Sequence, residues 1–392
     1  MAVLGQHPDA EICRGRRVKF GVALLLALSF LVVPNGCKRF HHRPQEVVYL
    51  WSRQIFLRDR VAAVSVRVAE VVNGQKLEVL KHDRRFLQVK TAKNEVGWLP
   101  ERAVIDSKTY DAFQKLAADH RAGPVVGDAT LRSELYMHLK PGRDTDRFYL
   151  LAGNTKVQML MRASVPKTPL ATPVPQPAPK NGKTAPAGSG RRHGASEAIP
   201  GVPETPPVIV EDWWLVRDAQ GHTGWMLGSR VDVDVPLSVA QYAEGQRIVG
   251  AWVIATVTDP EASTPDHKVD EYVMALSQPK SGLPYDFDQI RVFTWNLKRH
   301  RYETAFRLRS IHGYLPVRIS LGTAERGVEP VFSFEVATSP DVAINPETGI
   351  ARPLAPRTLS FALRQTIVRR VGPDMGPIPY MIDHGARKGA RR

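Results

Sequence analysis

Two stretches decide the fold: FLQVKTAKNEVGWL, residues 86–99, and WWLVRDAQGHTGWM, residues 213–226. Laid on each other without a gap, they put Val89 on Val216, Gly97 on Gly224 and Trp98 on Trp225, at a spacing of 127 residues. Upstream, VVNGQKLEVL (71–80) lies on LAGNTKVQML (151–160), with Arg67 on Arg147, Lys76 on Lys156 and Leu80 on Leu160, but at a spacing of 80. The chain therefore holds two copies of one unit, and the second carries about 47 additional residues in its middle.

In the first copy, IFLRDRV, VRVAEVV, KLEVLK, RFLQVKT and VGWLP are short runs rich in Val, Leu and Phe, separated by NG, HD and AKN. Such a string predicts a small all-β barrel of about 60 residues. Asn73-Gly74 supplies the positive φ of a tight turn, and Gly97 allows a close backbone approach. In order, Leu57-Arg58, Gly74, Leu77, Leu80, Phe86, Val89 and Gly97-Trp98 resemble the pattern of the bacterial SH3-like domain. That pattern has an N-V-R start, a turn glycine, K-V-x-V-L, W-x-x-V and G-W-V. In the second copy His138 stands where the family has its arginine, and Pro141 recovers a proline that the first copy replaces with Val61. The resemblance implies modules that bind cell-wall peptides or other proteins and catalyse nothing by themselves.

From these two units the rest of the chain is parsed outward. Residues 46–106 form the first SH3-like domain and 127–235 the second. The surplus of the second falls at 166–207, where 42 residues include 11 prolines, and reads as a solvated excursion from one hairpin. Within it Arg191, Arg192 and His193 could touch an anionic polymer. Between the copies, 107–123 predicts an amphipathic linker helix. Ser107 is its N-cap, Tyr110, Phe113, Leu116 and Ala117 form one face, Gly123-Pro124 is the stop, and the first barrel is its packing partner. Residues 236–372, with AWVIATVTD, EYVMALSQ, QIRVFTWNL and later alternating runs, predict a separate all-β sandwich or barrel domain. FTWNLKRHRYETAF reads as one hairpin turning at Lys298–His300, with Phe293, Trp295, Tyr302, Thr304 and Phe306 packing across its strands. The fold class is mainly β, and 373–392 is a basic tail.

At the other end, Arg14, Arg16, Arg17 and Lys19 precede an apolar run of 14 residues from Phe20 to Val33, which reads as an export signal over 1–36. VPNGC resembles the lipobox of bacterial lipoproteins. That resemblance implies a lipidated Cys37, a short tether over 37–45 and a membrane-anchored protein of the cell envelope facing the periplasm or cell surface. Cys13 lies in the signal, so the mature chain has no disulfide available. The formal net charge of +15 over 392 residues points to anionic polymers of the envelope, and an export signal argues against nucleic acid.

Chemistry is sparse. There is no His-Glu-x-x-His, no Gly-x-Ser-x-Gly and no phosphate-cradling glycine loop, so no catalytic residue, metal or cofactor is expected. The histidines read as scattered, with His222, His300 and His312 lacking a carboxylate at ligand spacing, and Glu211-Asp212 reads as a solvated edge. The ligand candidates are rings beside charge: Tyr49, Trp51 and Phe56 near Arg58 and Arg60 in the first copy, and Tyr136, Tyr149 and Trp214 near Arg147 in the second. Trp98, Trp213 and Trp225 are candidates for barrel core or groove, and strand alternation makes Trp213 the core ring and Trp214 the surface ring. Two function classes stay open. One is a non-catalytic envelope protein whose tandem modules bind cell-wall peptide or an envelope protein. The other is an enzyme in the C-terminal domain that the modules target.

Overall fold

The computed structural model describes residues 46–167, 209–324 and 327–380. The expected signal, Cys37, nearly all of the Pro-rich insertion and the end of the basic tail lie outside the described residues. The protein is mainly β. Among the described residues no helix is long and apolar enough to cross a membrane.

The first module comprises β1 (Val47–Leu50), β2 (Gln54–Arg58), β3 (Arg67–Val72), β4 (Lys76–Asp83), β5 (Phe86–Lys90), β6 (Val96–Pro100) and β7 (Val104–Asp106). Along β5 the apolar Leu87 and Val89 are buried while Phe86, Gln88 and Lys90 face outward, the period of two that a half-buried strand requires. The sheet order is β3-β2-β6-β5-β4-β1-β7. Val71 of β3 and Val48 of β1, from opposite ends of that order, share one core with Leu57, Leu77, Val89 and Leu99, so the sheet is rolled around its apolar face.

The second module is β8 (Gly127–Leu131), β9 (Leu135–His138), β10 (Arg147–Leu151), β11 (Lys156–Pro166), β12 (Val210–Arg217), β13 (Thr223–Leu227) and β14 (Val231–Val233). Its order, β10-β9-β13-β12-β11-β8-β14, repeats the first strand for strand. The registers repeat too: Val89 faces Gly97 and Gln88 faces Trp98, as Val216 faces Gly224 and Leu215 faces Trp225. Arg58 opposes Trp98 and His138 opposes Trp225. Leu80 and Leu160 both sit at a bulge in the third of these pairings. The glycines repeat for one reason: a Cβ on Gly97 would lie 2.7 Å from the Leu57 Cβ, and one on Gly224 2.5 Å from the Met137 Cβ. The β11–β12 ribbon pairs out to Pro166 and Val210, and the Lys167 amide donates to the Ile209 carbonyl at 2.7 Å, so the insertion leaves from a closed ribbon end.

Between the modules runs α1 (Ser107–Asp119). Its N-cap is Asp106, whose carboxylate accepts the Thr109 amide at 2.8 Å, and not Ser107 as the sequence suggests. The Ser107 hydroxyl donates instead to the Val47 carbonyl. The helix packs as a wedge in the seam, not on the first module alone. Tyr110 stacks on Tyr49 with centroids 3.8 Å apart, while Phe113, fully buried, meets Phe148 and Tyr149 of the second module.

After the short α2 (Leu237–Ala240) comes an antiparallel meander: β15 (Arg247–Thr258), β16 (Lys268–Ser277), β17 (Phe287–Asn296), β18 (Arg301–Ala324), β19 (Gly327–Ala337), β22 (Pro356–Arg364) and β23 (Ile367–Val371). A side ribbon, β20 (Val342–Ile344) and β21 (Ala351–Pro353), interrupts it. The hairpin turn falls between Asn296 and Arg301, as read from the sequence, and Trp295 meets Tyr302 edge-on at 5.0 Å. A bulge between Val292 and Phe293 sends Phe306 to the opposite face, where it packs on Phe361.

One apolar cluster runs from Leu131 and Phe148 of the second module through Trp214 and Val231 to Val249, Phe332 and Phe361 of the meander. An ionic knot reinforces this junction. The Arg162 guanidinium, 3% exposed, binds the carboxylates of Asp212 and Asp286 at 3.0 Å each and the Leu283 and Tyr285 carbonyls. Asp212, read as part of a solvated edge, is therefore buried, because the meander covers that end of β12, while Glu211 pairs with Arg143.

Candidate ligand groove

The outward face of β5 and β6 in the first module carries Phe86, Trp98 and Pro100, and β2 adds Phe56 and Arg58 beside them. The loop from Asp59 to Val66 folds over this face, held by the Asp59 carboxylate, which accepts the Val66 amide at 2.8 Å and binds Arg60. Together they enclose an open groove of about 700 Å³. Its rings are half-buried: Phe56, Phe86 and Trp98 each leave one side to solvent. The Arg67 guanidinium lies 4.3 Å from the Phe56 ring centroid and stiffens one wall. Arg58 donates to the Ser65 carbonyl and, among the described residues, has no carboxylate partner. An aromatic floor with exposed guanidinium groups can take an extended chain carrying acidic groups.

The same face of the second module is filled. Trp225 is 3% and Trp213 2% exposed, and Leu160 is 5% exposed where its counterpart Leu80 is 47%. Leu116 of α1 and Ile350 from the β20–β21 turn pack onto this aromatic cluster, and the Gly349 carbonyl accepts the Ser164 amide. His138, in the place of Arg58, is buried with its ring 5.1 Å from Trp213. Burial, with the positive charge of Arg147 nearby, holds its pKa down at about 4.

The remaining ligand candidates lie elsewhere. Tyr49 is stacked under Tyr110, and Trp51 meets Tyr136 at 5.6 Å with the Arg147 guanidinium 4.6 Å from the Trp51 ring. Asn73 clasps this seam, donating to the Trp51 and Phe148 carbonyls and accepting the Leu150 amide. Tyr149, 8% exposed, stacks on His222. These four rings hold the modules to each other. Trp214, expected at the surface, is 7% exposed, because the second face of β12 is covered by the meander; Trp213 is buried as expected. Of the ligand candidates, only Phe56, Arg58 and Arg60 join Trp98 in the groove, and Phe86 was legible as its neighbour only once β5 and β6 were paired.

His222 and His300, read from the sequence as lacking a carboxylate, each have one, as does His82 with Glu46 at 2.7 Å. His222 Nδ1 lies 2.8 Å from the Asp218 carboxylate, four residues earlier in the β12–β13 turn. His300 lies between Asp259 at 2.7 Å and Glu261 at 3.0 Å, which a remote turn brings to it. Among the described residues no cluster of three His, Cys, Asp or Glu side chains could hold a metal ion. The outer face of the meander carries a polar cleft of about 1010 Å³, with Asp288, Gln289, Arg291 and Arg309 among its walls.

No family model and no curated protein matches the chain. Among solved structures, NlpC2 from Trichomonas vaginalis superposes with a TM-score of 0.15 at 9% identity, over 57% of this chain and 61% of that one. An NlpC/P60 family protein from Bacillus cereus gives a TM-score of 0.20 at 9% identity, over 50% and 62%. NlpC1 from Trichomonas vaginalis gives 0.15 at 8% identity, over 74% and 88%. The chain thus spans about three-fifths of the length of the first two. At TM-scores this low neither fold nor activity carries over.

Proposed function

We propose that the protein is a non-catalytic, lipid-anchored component of a bacterial cell envelope, and that it binds an extended cell-wall peptide or envelope protein through its first SH3-like module. The observation that carries this reading is the asymmetry of the duplication. Equivalent faces are an open groove around Trp98 in one copy and a filled core around Trp225 in the other. A partly open aromatic face that the fold does not use for packing is available to a ligand. The second module then acts as the scaffold that joins the first to the meander.

The test is co-sedimentation of the mature chain with purified peptidoglycan, alongside pull-down from envelope extract, for the parent and for Trp98→Ala and Arg58→Ala. The variants keep a parental circular dichroism spectrum and lose retention at least tenfold. Undiminished retention of Trp98→Ala with both materials removes the groove from the function.

The polar cleft on the meander favours a second reading, an enzyme with its site there. Asp288 lies in that cleft with its pKa raised by burial, the direction a general acid needs. Release of soluble fragments from peptidoglycan by the parent and not by Asp288→Asn would decide for this reading.

A further inference from the structure

We infer that the second module carries a binding site for a phosphate group, free or esterified, in the pocket between the end of α1 and the β12–β13 turn. The pocket measures about 430 Å³. Gln114 of α1 and Arg121 just beyond it line one side, Arg217 of β12 and Gln220 and His222 of the turn the other, and none of its lining residues is acidic. A difference between the two copies of the repeat points to an anion. In the first, Lys90 opposes Glu78 across β4 and β5, and the two pair at 2.8 Å. In the second, Arg217 opposes Gln158 across β11 and β12 at the same register. Its Nε and Nη2 both donate to the Gln158 side-chain oxygen, at 3.1 and 2.8 Å, and its Nη1 donates to the His120 and Arg121 carbonyls at the end of α1. The guanidinium is thus held by neutral acceptors alone. The helix end supplies a partial charge of about half an electron, so much of the charge that a carboxylate cancels in the first copy is left standing in the second. His222, too, occupies the position of the acidic Glu95, at the spacing of 127.

The rest of the wall suits the same ligand. Arg121 is exposed and, among the described residues, has no carboxylate partner, so a second guanidinium is available. Asp218 lies behind His222, its side chain 1% exposed and its oxygens taken by the Gln220 and His222 amides and by His222 Nδ1. That bond fixes the ring and leaves Nε2 for the ligand. Once protonated, the imidazolium bridges Asp218 and the bound oxyanion. The Tyr149 ring stacks on the imidazole at 3.9 Å, and its hydroxyl accepts a Gln114 N–H at 2.7 Å, so this wall is set before a ligand arrives. Donors from three separate segments match the several acceptor oxygens of a tetrahedral phosphate. A planar carboxylate is satisfied by the fork of one arginine and has no use for the rest. The volume leaves room beside the phosphate for a small group esterified to it.

The experiment is isothermal titration calorimetry of the full mature chain with three probes: inorganic phosphate, glucose 1-phosphate and acetate. Both phosphate probes bind at least tenfold more tightly than acetate, and Arg121→Gln weakens them at least tenfold. The decisive variant is Gln158→Glu, which gives Arg217 the carboxylate that Lys90 has in the first copy, a pair that the same strand pairing already accommodates there. It keeps the parental circular dichroism spectrum and unfolding midpoint and loses phosphate binding at least tenfold. Lys108→Gln, which removes one positive charge from the same helix outside the pocket, leaves binding unchanged. Tighter binding of glucose 1-phosphate than of inorganic phosphate assigns an ester and equal binding the free anion; either supports the site. Phosphate bound no more tightly than acetate, or bound undiminished by Gln158→Glu and Arg121→Gln, overturns the inference.

Discussion

His138 makes the second module sensitive to mild acid, and the size of the effect follows from its surroundings. The ring is 7% exposed, faces Trp213 and places Nδ1 3.0 Å from the Thr145 hydroxyl. That hydroxyl has one proton, which it directs at the Lys140 or Gly142 carbonyl, so it accepts from Nδ1–H and leaves Nε2 as the unprotonated nitrogen. A second proton would put charge among apolar rings and near Arg147, which holds the folded pKa at about 4. The unfolded chain takes up that proton near pH 6.5, so between these values the unfolded state binds more protons and stability falls as pH falls. The full gap is worth about 3 kcal/mol, of which about 2 kcal/mol is lost between pH 7 and pH 5. Urea unfolding followed by tryptophan fluorescence, for the parent and His138→Gln at both pH values, isolates this contribution. The difference in stability between parent and variant should shrink by about 2 kcal/mol at pH 5. An unchanged difference would refute a neutral, desolvated imidazole at this position.

Arg162→Met leaves the Asp286 carboxylate without its guanidinium and Asp212 with Arg247 alone, at 2.6 Å, and should cost about 3–5 kcal/mol in denaturant unfolding. Adding Asp286→Asn should recover part of that loss, while Asp212→Asn should not, since it leaves Arg247 unpaired. His300, bonded first to Asp259 and flanked by Glu261, should titrate above its ordinary value in an NMR pH series. Its stabilising contribution is complete below pH 6.5 and fades as pH rises through the raised value, and Asp259→Asn should return the midpoint towards 6.5.

The duplication was legible because it rests on local chemistry. A glycine is needed where β6 crosses β2 and β13 crosses β9, a tryptophan follows it, and those demands leave the same letters at the same spacing. The same holds for the hairpin at 297–300, whose strands pair with near neighbours in sequence. The site was less legible because alternation assigns a side chain to a face and does not say what covers that face. Trp98 and Trp225 hold equivalent places and read alike as core or groove, yet α1 and the β20–β21 turn cover Trp225 and solvent meets Trp98. Tyr49 and Trp51 beside arginines read equally well as a groove or as a seam, and the choice depends on where α1 and the second module come to rest. His138 carried a signal, since it replaces the arginine of the resemblance and so marks the copy whose groove is closed.

The Asn73 clasp has a consequence for how the groove works. Its side chain gives one amide proton to Trp51 of its own module and spends the other, with its carbonyl, on Phe148 and Leu150 of the second, and the Tyr49–Tyr110 stack lies in the same seam. The first module therefore cannot swivel without breaking both of these inter-module hydrogen bonds, and its groove is presented at one fixed attitude. A ligand arriving there meets a preorganised surface and forfeits no entropy to aligning the modules. Association should then follow a single exponential with no slow conformational phase, and its rate should be set by encounter alone.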